Sequence, residues 1–155
     1  MAIRIALGAD HGGYQLKTEL SIWLREQDYD VQDIGALFLD PSDDYPDFAV
    51  AVANEVATGE AHRGIIVCGS GVGASITANK VSGVRAGLCH DIYSAHQGVE
   101  HDDMNVLCLG ARVIEVTHAI DLTRAFLGAQ FSGEDRHQRR LDKMLAIEKR
   151  SFRQG

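Results

Sequence analysis

The sequence predicts an α/β fold: a doubly wound, five-stranded parallel sheet with helices on both faces. Short apolar runs rich in Ile, Val and Leu alternate along the chain with segments whose apolar residues recur at helical spacing. Alternation of strand and helix calls for a mostly parallel sheet, covered on both faces and joined by right-handed crossovers. Several of the runs also end at glycine, which permits the tight turn that follows a strand.

Five apolar runs are predicted as strands because each is short enough for one. In chain order they are Ile3–Ala9, Tyr29–Gly35, Gly64–Gly69, Val84–Cys89 and Asn105–Gly110. We expect the strand order 2-1-3-4-5. In such a sheet ligands bind beyond the carboxyl ends of strands 1 and 3, where the order reverses, so the loops at residues 8–13 and 68–73 are the first to inspect.

Six helices are predicted between and after these strands. In the first two, apolar residues recur at helical spacing: Leu16, Leu20, Trp23 and Leu24, then Phe48, Val52 and Val56. The other four are predicted at about residues 72–81, 91–100, 116–128 and 134–151. The longest connection, residues 36–45, is acidic and precedes Pro46, which suits the first turn of a helix.

The composition fits one domain, residues 1–155, with 45% hydrophobic and 24% charged residues. Three cysteines without CxxC spacing argue against a disulfide framework and a structural zinc site. The net charge of −7 disfavours binding to nucleic acid or anionic lipid. With no leader pattern and no apolar run near ~20 residues, we expect a cytoplasmic protein without membrane partners.

The charge is unevenly distributed along the chain. Residues 133–155 hold seven Lys and Arg against four Asp and Glu, whereas the whole chain holds 15 and 22. A basic tail on an acidic body is either the solvated face of a terminal helix or part of an anion site.

The segment from Gly69 to Gly73 follows the third predicted strand and opens a helix. Its glycines allow backbone N–H groups to converge on an anion at the positive end of that helix. The segment is neither a dinucleotide fingerprint nor a P-loop, because Ala74 holds the last fingerprint position and no Gly-Lys-Ser/Thr follows. Tight packing alone is the alternative explanation for these glycines.

Cys68 ends the third predicted strand beside these N–H groups, which would favour a thiolate able to abstract a proton. Cys89 and Cys108 lie inside apolar runs and are interpreted as small buried hydrophobic residues. In the first loop, Asp10 could orient a hydroxyl group and His11 could contact a phosphate or shuttle a proton. That pair could equally cap the following helix.

A third polar cluster, His101-Asp102-Asp103, follows the fourth predicted helix. Its side chains could bind a divalent metal, although no recognised metal spacing is present. His101 could instead donate a proton to a sugar ring oxygen, or the cluster could be a solvated helix end. Arg112 follows the last strand, where a guanidinium could bind phosphate, and Arg136 and Arg140 lie one helical turn apart, so both could face one anion or splay into water.

Several motifs together resemble one known family, ribose-5-phosphate isomerase type B. They are Gly-Ala-Asp-His-Gly-Gly at 8–13, Asp-Tyr-Pro at 44–46, Cys-Gly-Ser-Gly-Val-Gly at 68–73, Ala-Asn-Lys at 78–80 and Arg-His-Gln at 136–138. The similarity runs from about Ile3 to Arg150 in the right order and spacing. The resemblance implies a Rossmann-like fold, matching the pattern analysis, and the cysteine branch of the family, since the other branch has glutamate where Ala74 stands.

The resemblance also implies roles for the candidate residues. Cys68 would take the proton from carbon 2, Ser70 would assist the proton transfers, and the backbone of Gly69, Gly71, Val72 and Gly73 would hold the enediolate. His101 would help to open the furanose ring and Asp10 would contact sugar hydroxyls. Phosphate would be held by His11, Arg112, Arg136 and Arg140. Family members are dimers whose C-terminal helix reaches the partner's site, so the two tail arginines would act across the interface.

Asp102 departs from the family pattern, which usually has Asn after the histidine. A carboxylate cannot donate as an amide does, and it repels a nearby phosphate or enediolate unless it is protonated or paired. We count Asp102 among the substrate-binding residues and expect it to change which sugar phosphate is preferred, not the class of reaction.

We therefore expect an aldose–ketose isomerase that interconverts ribose 5-phosphate and ribulose 5-phosphate without cofactor or metal, as a homodimer or a dimer of dimers. The alternatives are an isomerase of another phosphorylated sugar, such as allose 6-phosphate, galactose 6-phosphate or a tetrose phosphate, or a non-catalytic sugar-phosphate sensor.

Overall fold

The computed structural model describes residues 2–152, so both ends of the predicted domain, residues 1 and 155, lie outside it. Its centre is a five-stranded sheet in which every pairing is parallel, as predicted. The strands are β1 Arg4–Ala9, β2 Asp30–Gly35, β3 Arg63–Cys68, β4 Ala86–Leu88 and β5 Val106–Gly110. The α/β fold class and all five predicted strands are thereby confirmed.

Helices connect the strands and follow the last one. They are α1 Tyr14–Glu26, α2 Tyr45–Ala57, α3 Val72–Ala78, α4 Ile92–Asp102, α5 Val116–Gly128 and α6 Asp135–Phe152. Pro46 lies in the first turn of α2, where its missing N–H costs nothing. The predicted helix at 72–81 ends three residues early, with Asn79 as its cap, because the Asn79 side chain turns to pair with the backbone of Ala86.

The strand order is β2-β1-β3-β5-β4, so the predicted order 2-1-3-4-5 was wrong in its last two positions. The burial of the strands gives the physical reason. All five residues of β5 are buried, whereas β4 has three residues, none of them buried. The wholly apolar strand takes the central position beside β3, and the short one is left at the edge, where its polar backbone is partly covered by Asn79.

Two apolar cores lie on opposite faces of the sheet. One is formed with residues of α1, α4 and α5 and includes Leu20, Leu107 and Phe126. The other is formed with residues of α2 and α3 and includes Val52 and Ile66. Helices therefore cover both faces, and the change of face between the connections after β1 and β3 places the switch point between these neighbouring strands, where ligands bind in such folds.

Among residues 2–152, no helix is both long and apolar enough to cross a membrane. The cytoplasmic location expected from the sequence stays a prediction.

Candidate active site

Three loops meet at the carboxyl edge of the sheet, after β1, β3 and β5. The loop after β5 is fixed to the loop after β3 by two backbone hydrogen bonds: Ala111 N–H donates to Cys68 O over 2.9 Å and Arg112 N–H to Gly69 O over 3.0 Å. The loop after β1 comes so close that a methyl group added to Gly12 would lie 3.3 Å from the backbone nitrogen of Gly69. Close approach of this kind requires glycine-rich loops.

A cavity of about 510 Å³ opens between these loops. Seven of the predicted site residues line it, together with Tyr45, Ile76 and Val113. Those seven are Asp10, Cys68, Gly69, Ser70, Val72, Gly73 and Arg112. The structure thus brings most of the predicted carboxyl-edge residues to one place, although their individual roles stay predictions.

Cys68 ends β3, and its side chain is 4% exposed. The backbone N–H of Gly71 donates to its sulfur over 3.1 Å. The other two thiols are in different surroundings, because burial raises the pKa of Cys89 to about 11 and raises that of Cys108 further. Cys68 is the thiol that lines the cavity.

The glycine loop is held in a conformation that side chains oppose. Gly71 has φ +80°, and a methyl group there would lie 2.6 Å from Leu88 and 2.9 Å from the carbonyl carbon of Leu109. Gly71 therefore lies behind the cavity wall instead of lining it. A methyl group on Gly73 would strike the ring of Tyr45 at 2.4 Å. The Ser70 hydroxyl accepts the N–H of Val72 over 3.2 Å.

The cations on this edge are Arg112 and His11. The Arg112 side chain lies over Gly69, with Nη1 3.5 Å from the position that a methyl group on Gly69 would occupy. His11 pairs with Asp43, from Nδ1 to Oδ1, over 2.7 Å. This hydrogen bond raises the pKa of His11, and the negative charge of Asp10 adds to the effect while Arg112 opposes it.

His101 and Asp102 lie at the other edge of the sheet. They end α4, which returns the chain from the carboxyl edge to the start of β5. In the pairing of β3 with β5, Cys68 lies opposite Gly110 at one end, and Val106 lies at the other end, next to the end of α4. Four strand steps, about 13 Å, separate Val106 from Gly110. Within one chain, His101 therefore does not join the Cys68 cavity.

The start of α6 packs against the end of α4, next to His101. Ser132 N–H donates to Glu100 O over 2.9 Å, which fixes the chain at the end of α4. His137, 1% exposed, stacks on His101 with ring centroids 3.9 Å apart. Its Nδ1 pairs with the Ser132 hydroxyl, and Gln97 pairs with Nδ1 of His101 over 3.0 Å. Burial and the neighbouring His101 lower the pKa of His137, so this ring is neutral at neutral pH.

The tail arginines are exposed beside this stack. Arg136 pairs with Glu134 over 3.0 Å, and both Arg136 and Arg140 lie close enough to His137 to lower its pKa. Asp102 lines a separate groove with Asn79, Arg85 and Met144. We name His101, Asp102, Arg136, His137 and Arg140 the amino-edge group, and Asp10, His11, Cys68, Ser70 and Arg112 the carboxyl-edge group.

Among residues 2–152, one set of potential metal ligands comes together, Asp10, His11 and Asp43, and it differs from the cluster considered in the sequence. Its ligand atoms lie within 4.8 Å of one another. His11 Nδ1 is already paired with Asp43 there. We therefore interpret the set as a hydrogen-bonded pair, His11 and Asp43, beside the Asp10 carboxylate. The absence of a resident metal stays a prediction.

Sequence reasoning gave no site role to three residues that the structure brings to these groups: Asp43, Tyr45 and His137. Tyr45 and His137 stand within the quoted motifs, at 44–46 and 136–138, so a signal existed. Asp43 lies 32 residues from His11, and nothing in the local sequence reveals that pairing.

A doubly wound sheet with a thiol, a carboxylate and a guanidinium around one switch-point cavity defines an enzyme that moves protons on a small anionic substrate. A family model narrows that class, because the ribose/galactose isomerase model matches residues 5–144. The chain belongs to this family. It is a sugar-phosphate aldose–ketose isomerase.

Three relatives illustrate the likeness. Ribose-5-phosphate isomerase B of Escherichia coli is 45% identical over 147 residues, which cover 95% of this chain and 97% of that protein. D-erythrulose-4-phosphate isomerase 2 of Mycolicibacterium smegmatis is 37% identical, covering 96% and 99%. The crystal structure of ribose-5-phosphate isomerase B from Mycoplasma genitalium with bound ribulose-5-phosphate has a TM-score of 0.91 at 41% identity, covering 96% of this chain and 98% of that one.

Proposed function

We propose that the protein interconverts ribose 5-phosphate and ribulose 5-phosphate through a cis-enediolate, with Cys68 as the base. The observation that carries the proposal is the Cys68 sulfur, held by the Gly71 N–H in a cavity that also presents Asp10, Ser70 and Arg112. Relatives named for ribose-5-phosphate isomerase support the choice of sugar.

The reaction moves one proton between two carbons and one between two oxygens. The Cys68 thiolate removes the proton from carbon 2, and the electron pair forms the carbon–carbon double bond of the enediolate. The same thiol returns a proton to carbon 1 while the Ser70 hydroxyl relays the proton from the oxygen on carbon 2 to that on carbon 1. The substrate isomerises with no net gain or loss of atoms. Backbone N–H groups of Gly69–Gly73 stabilise the intermediate charge.

Binding begins at the phosphate, remote from the reacting carbons. Arg112 and His11 supply positive charge at the carboxyl edge, and Asp10 contacts a sugar hydroxyl. Binding energy from the phosphate then fixes carbons 1 and 2 against Cys68, which raises the rate as well as the affinity.

The active enzyme is a homodimer, or a dimer of dimers, in which each cavity is completed by the amino-edge group of a second copy. Support comes from the separation of the two groups: α4, which ends beside His101, leads to the start of β5, and about 13 Å of strand separates that start from the end of β5 at the carboxyl edge. In a two-fold interface the contact between the carboxyl-edge group of one copy and the amino-edge group of the other occurs twice. One dimer would therefore contain two complete sites. His101 of the second copy would open the furanose ring, and its Arg136 and Arg140 would bind phosphate.

Exposed apolar side chains on α3, α4 and α6 are available for such an interface. Val72 and Ile76 are 47% and 59% exposed at the cavity mouth, and Tyr93 is 73% exposed on α4. On α6, Ile147 and Phe152 are 54% and 43% exposed. Burying both sets against a second copy would remove this apolar surface from water, which is the main driving force for association.

A tetrose phosphate is the second candidate substrate. Two observations favour it: Asp102 replaces the usual Asn of the family, and a relative 37% identical is named D-erythrulose-4-phosphate isomerase 2. A carboxylate at this position would accept hydrogen bonds from sugar hydroxyls but donate none.

A substrate panel tests both candidates. We expect kcat/KM for ribose 5-phosphate to exceed those for D-erythrulose 4-phosphate, allose 6-phosphate and galactose 6-phosphate by at least ~10-fold, about 1.4 kcal/mol in transition-state binding. Asp102→Asn run beside the wild type tests whether Asp102 sets the preference, and Asp103→Asn is the matched control. A preference for a tetrose phosphate that Asp102→Asn reverses would replace the proposed substrate.

A further inference from the structure

We propose that Asp43 is a positioning residue that holds His11 as a cation for the substrate phosphate. The proposal rests on the proposed function, because it gives the phosphate site an additional part. Asp43 stands in the acidic connection between β2 and α2, and no step of the isomerisation uses it.

Two hydrogen bonds join Asp43 to His11. Oδ1 of Asp43 accepts the backbone N–H of His11 over 2.9 Å and pairs with its ring Nδ1 over 2.7 Å. One carboxylate oxygen thus fixes both the main chain and the ring of the same residue. The backbone bond holds the loop after β1 and the ring bond sets the direction of the imidazole.

The pairing also selects the state of the ring. With Nδ1–H donated to a carboxylate, Nε2 is the nitrogen that remains for a ligand. Within residues 2–152, Nε2 of His11 forms no hydrogen bond, and about a third of the side chain, 34%, is exposed. A protonated ring therefore offers Nε2–H to an anion while Nδ1–H stays bound to Asp43.

The burial of Asp43 explains why the ring is held as a cation. Its side chain is 9% exposed, and Oδ2 is buried with no hydrogen-bond partner among the described residues. His11 is the one cationic side chain within 4 Å of it in residues 2–152. Because a buried carboxylate needs a compensating charge, Asp43 favours the protonated form of His11.

Other charged groups around the ring act in both directions. Asp10, on the loop after β1, also raises the pKa of His11, and Arg112, after β5, lowers it. Asp40, in the acidic connection, has its own pKa lowered by Ser42 and, more weakly, by His11. Arg136 and Arg140 of a second copy would add positive charge. Asp43 is the largest of the influences that raise the pKa of His11.

The connection that carries Asp43 is itself fixed at both ends. Lys17, 1% exposed, binds Asp33 through Nζ over 2.8 Å and the Ala36 carbonyl over 2.5 Å. Nearer to Asp43, the Asp40 carboxylate accepts the N–H and hydroxyl of Ser42, and the Asp43 N–H donates to Asp40 O over 3.1 Å. An acidic loop beside a phosphate site would otherwise repel the ligand, and the pairing with His11 removes that conflict.

The pairing predicts a pH window for phosphate binding. The dianion of a sugar phosphate forms above a pKa of about 6, and His11 is a cation below its own pKa, which lies above the ordinary value of 6.5. Affinity is therefore highest between these values and falls as the pH rises through the pKa of His11. Removing the Asp43 charge moves the upper limit of the window to lower pH.

The test compares Asp43→Asn with Asp44→Asn, which removes the same charge one residue away, where the side chain is exposed and makes no capping hydrogen bond. The probes are inorganic phosphate and the NMR titration of His11. We expect Asp43→Asn to lower the pKa of His11 and to weaken phosphate binding about 10-fold at pH 8 but under 2-fold at pH 6. Asp44→Asn should match the wild type in both. KM for ribose 5-phosphate should follow phosphate affinity while kcat changes less than ~3-fold.

A measurement on the wild type covers the case in which Asp43→Asn does not fold. The ¹⁵N shifts of His11 at high pH should show the neutral tautomer protonated at Nδ1. The Nε2–H tautomer, or an Asp43→Asn titration equal to that of Asp44→Asn, would overturn the inference. If the wild type does not isomerise ribose 5-phosphate while the His11 titration and phosphate affinity respond as expected, the proposed substrate fails and this inference stands.

Discussion

The two edges of the sheet differ in what they contribute to chemistry. The carboxyl edge has the cavity, the Cys68 sulfur under the Gly71 N–H, and Arg112 over the glycine loop. The amino edge has His101 stacked on His137, with the tail arginines exposed beside it. The first edge has the thiol and the cavity but not His101 or the tail arginines, and the second has His101 and the tail arginines but not the thiol.

Within one chain these two sets of residues lie at opposite edges of the sheet. α4 runs from one edge to the other, so its C-terminal His101 is placed away from the cavity by topology alone. In the proposed dimer the uneven charge of the chain would have the same origin, because the basic tail would supply Arg136 and Arg140 to the cavity of a second copy. Four substitutions test the contribution of each edge.

Cys68→Ala should have the largest effect, because it removes the base from the carboxyl edge. We expect kcat to fall at least ~10²-fold with little change in KM, as for loss of a proton-transfer group. Cys89→Ala is the matched control, since it removes a buried thiol outside the cavity. Steady-state assays of both variants, reduced and purified alike, decide the matter. Near-normal turnover by Cys68→Ala would remove this residue from its role.

Gly71→Ala should displace the glycine loop, including the Gly71 N–H that donates to the Cys68 sulfur, while leaving the reacting side chains unchanged. Its methyl group would lie 2.9 Å from the Leu109 carbonyl carbon and 3.1 Å from Gly110 N, so backbone must move. We expect kcat to fall about 10- to 100-fold, because small displacements of positioned groups are costly. Gly59→Ala is the control: φ is +82° there but nothing lies within 4 Å. An equal fall in kcat in the two variants would show that backbone strain, and not the clash at Gly71, causes the loss.

His137→Gln should loosen the amino edge. The neutral, buried ring of His137 stacks on His101 at 3.9 Å and fixes its orientation. We expect kcat to fall about 10-fold, with KM within ~2-fold, since a positioning contact is lost and the arginines remain. His96→Gln, on the exposed side of α4, should leave kcat unchanged. An effect on KM alone would place His137 with the phosphate ligands instead.

Lys17→Met should act on stability more than on rate. Lys17 is buried, and its ammonium group binds Asp33 and the Ala36 carbonyl. The substitution leaves both of these groups without that partner. Because the Asp33 side chain is 30% exposed, we expect a loss of about 2–3 kcal/mol in the free energy of unfolding, below the range for a fully buried pair. Urea unfolding measures it, with exposed Lys80→Met as the control. An unchanged midpoint would contradict the anchoring role.

Local patterns in the sequence predicted the strands and helices well because each element carries its own periodicity. The order of β4 and β5 was not predictable in the same way. It depends on which strand buries more apolar surface, and the run from Val84 to Cys89, although long enough for a full strand, forms a strand of only three residues. A connection recognised in the sequence shows where the chain turns, but it does not show whether the next strand lies beside the previous one or one position further along the sheet.

The parts of the site formed by residues close together in the sequence could be predicted, and the contacts between residues far apart in the sequence could not. Glycines and Cys68 in one loop indicated the cavity by themselves. The pairing of Asp43 with His11 spans 32 residues, and the stack of His137 on His101 joins two helices, so neither leaves a local pattern. The resemblance assigned His101 to the reaction but not to an edge of the sheet, which only the topology determines.

Subunit complementation tests the central claim, that a second copy completes each cavity. Cys68→Ala and His101→Ala chains carrying different tags are co-expressed, and the mixed dimer is purified on both tags. One of its two cavities then has Cys68 from one chain and His101 from the other, so we predict about half of the wild-type activity, from two inactive parents. A mixed dimer no more active than either parent would show that each chain builds its own site, and would contradict the account.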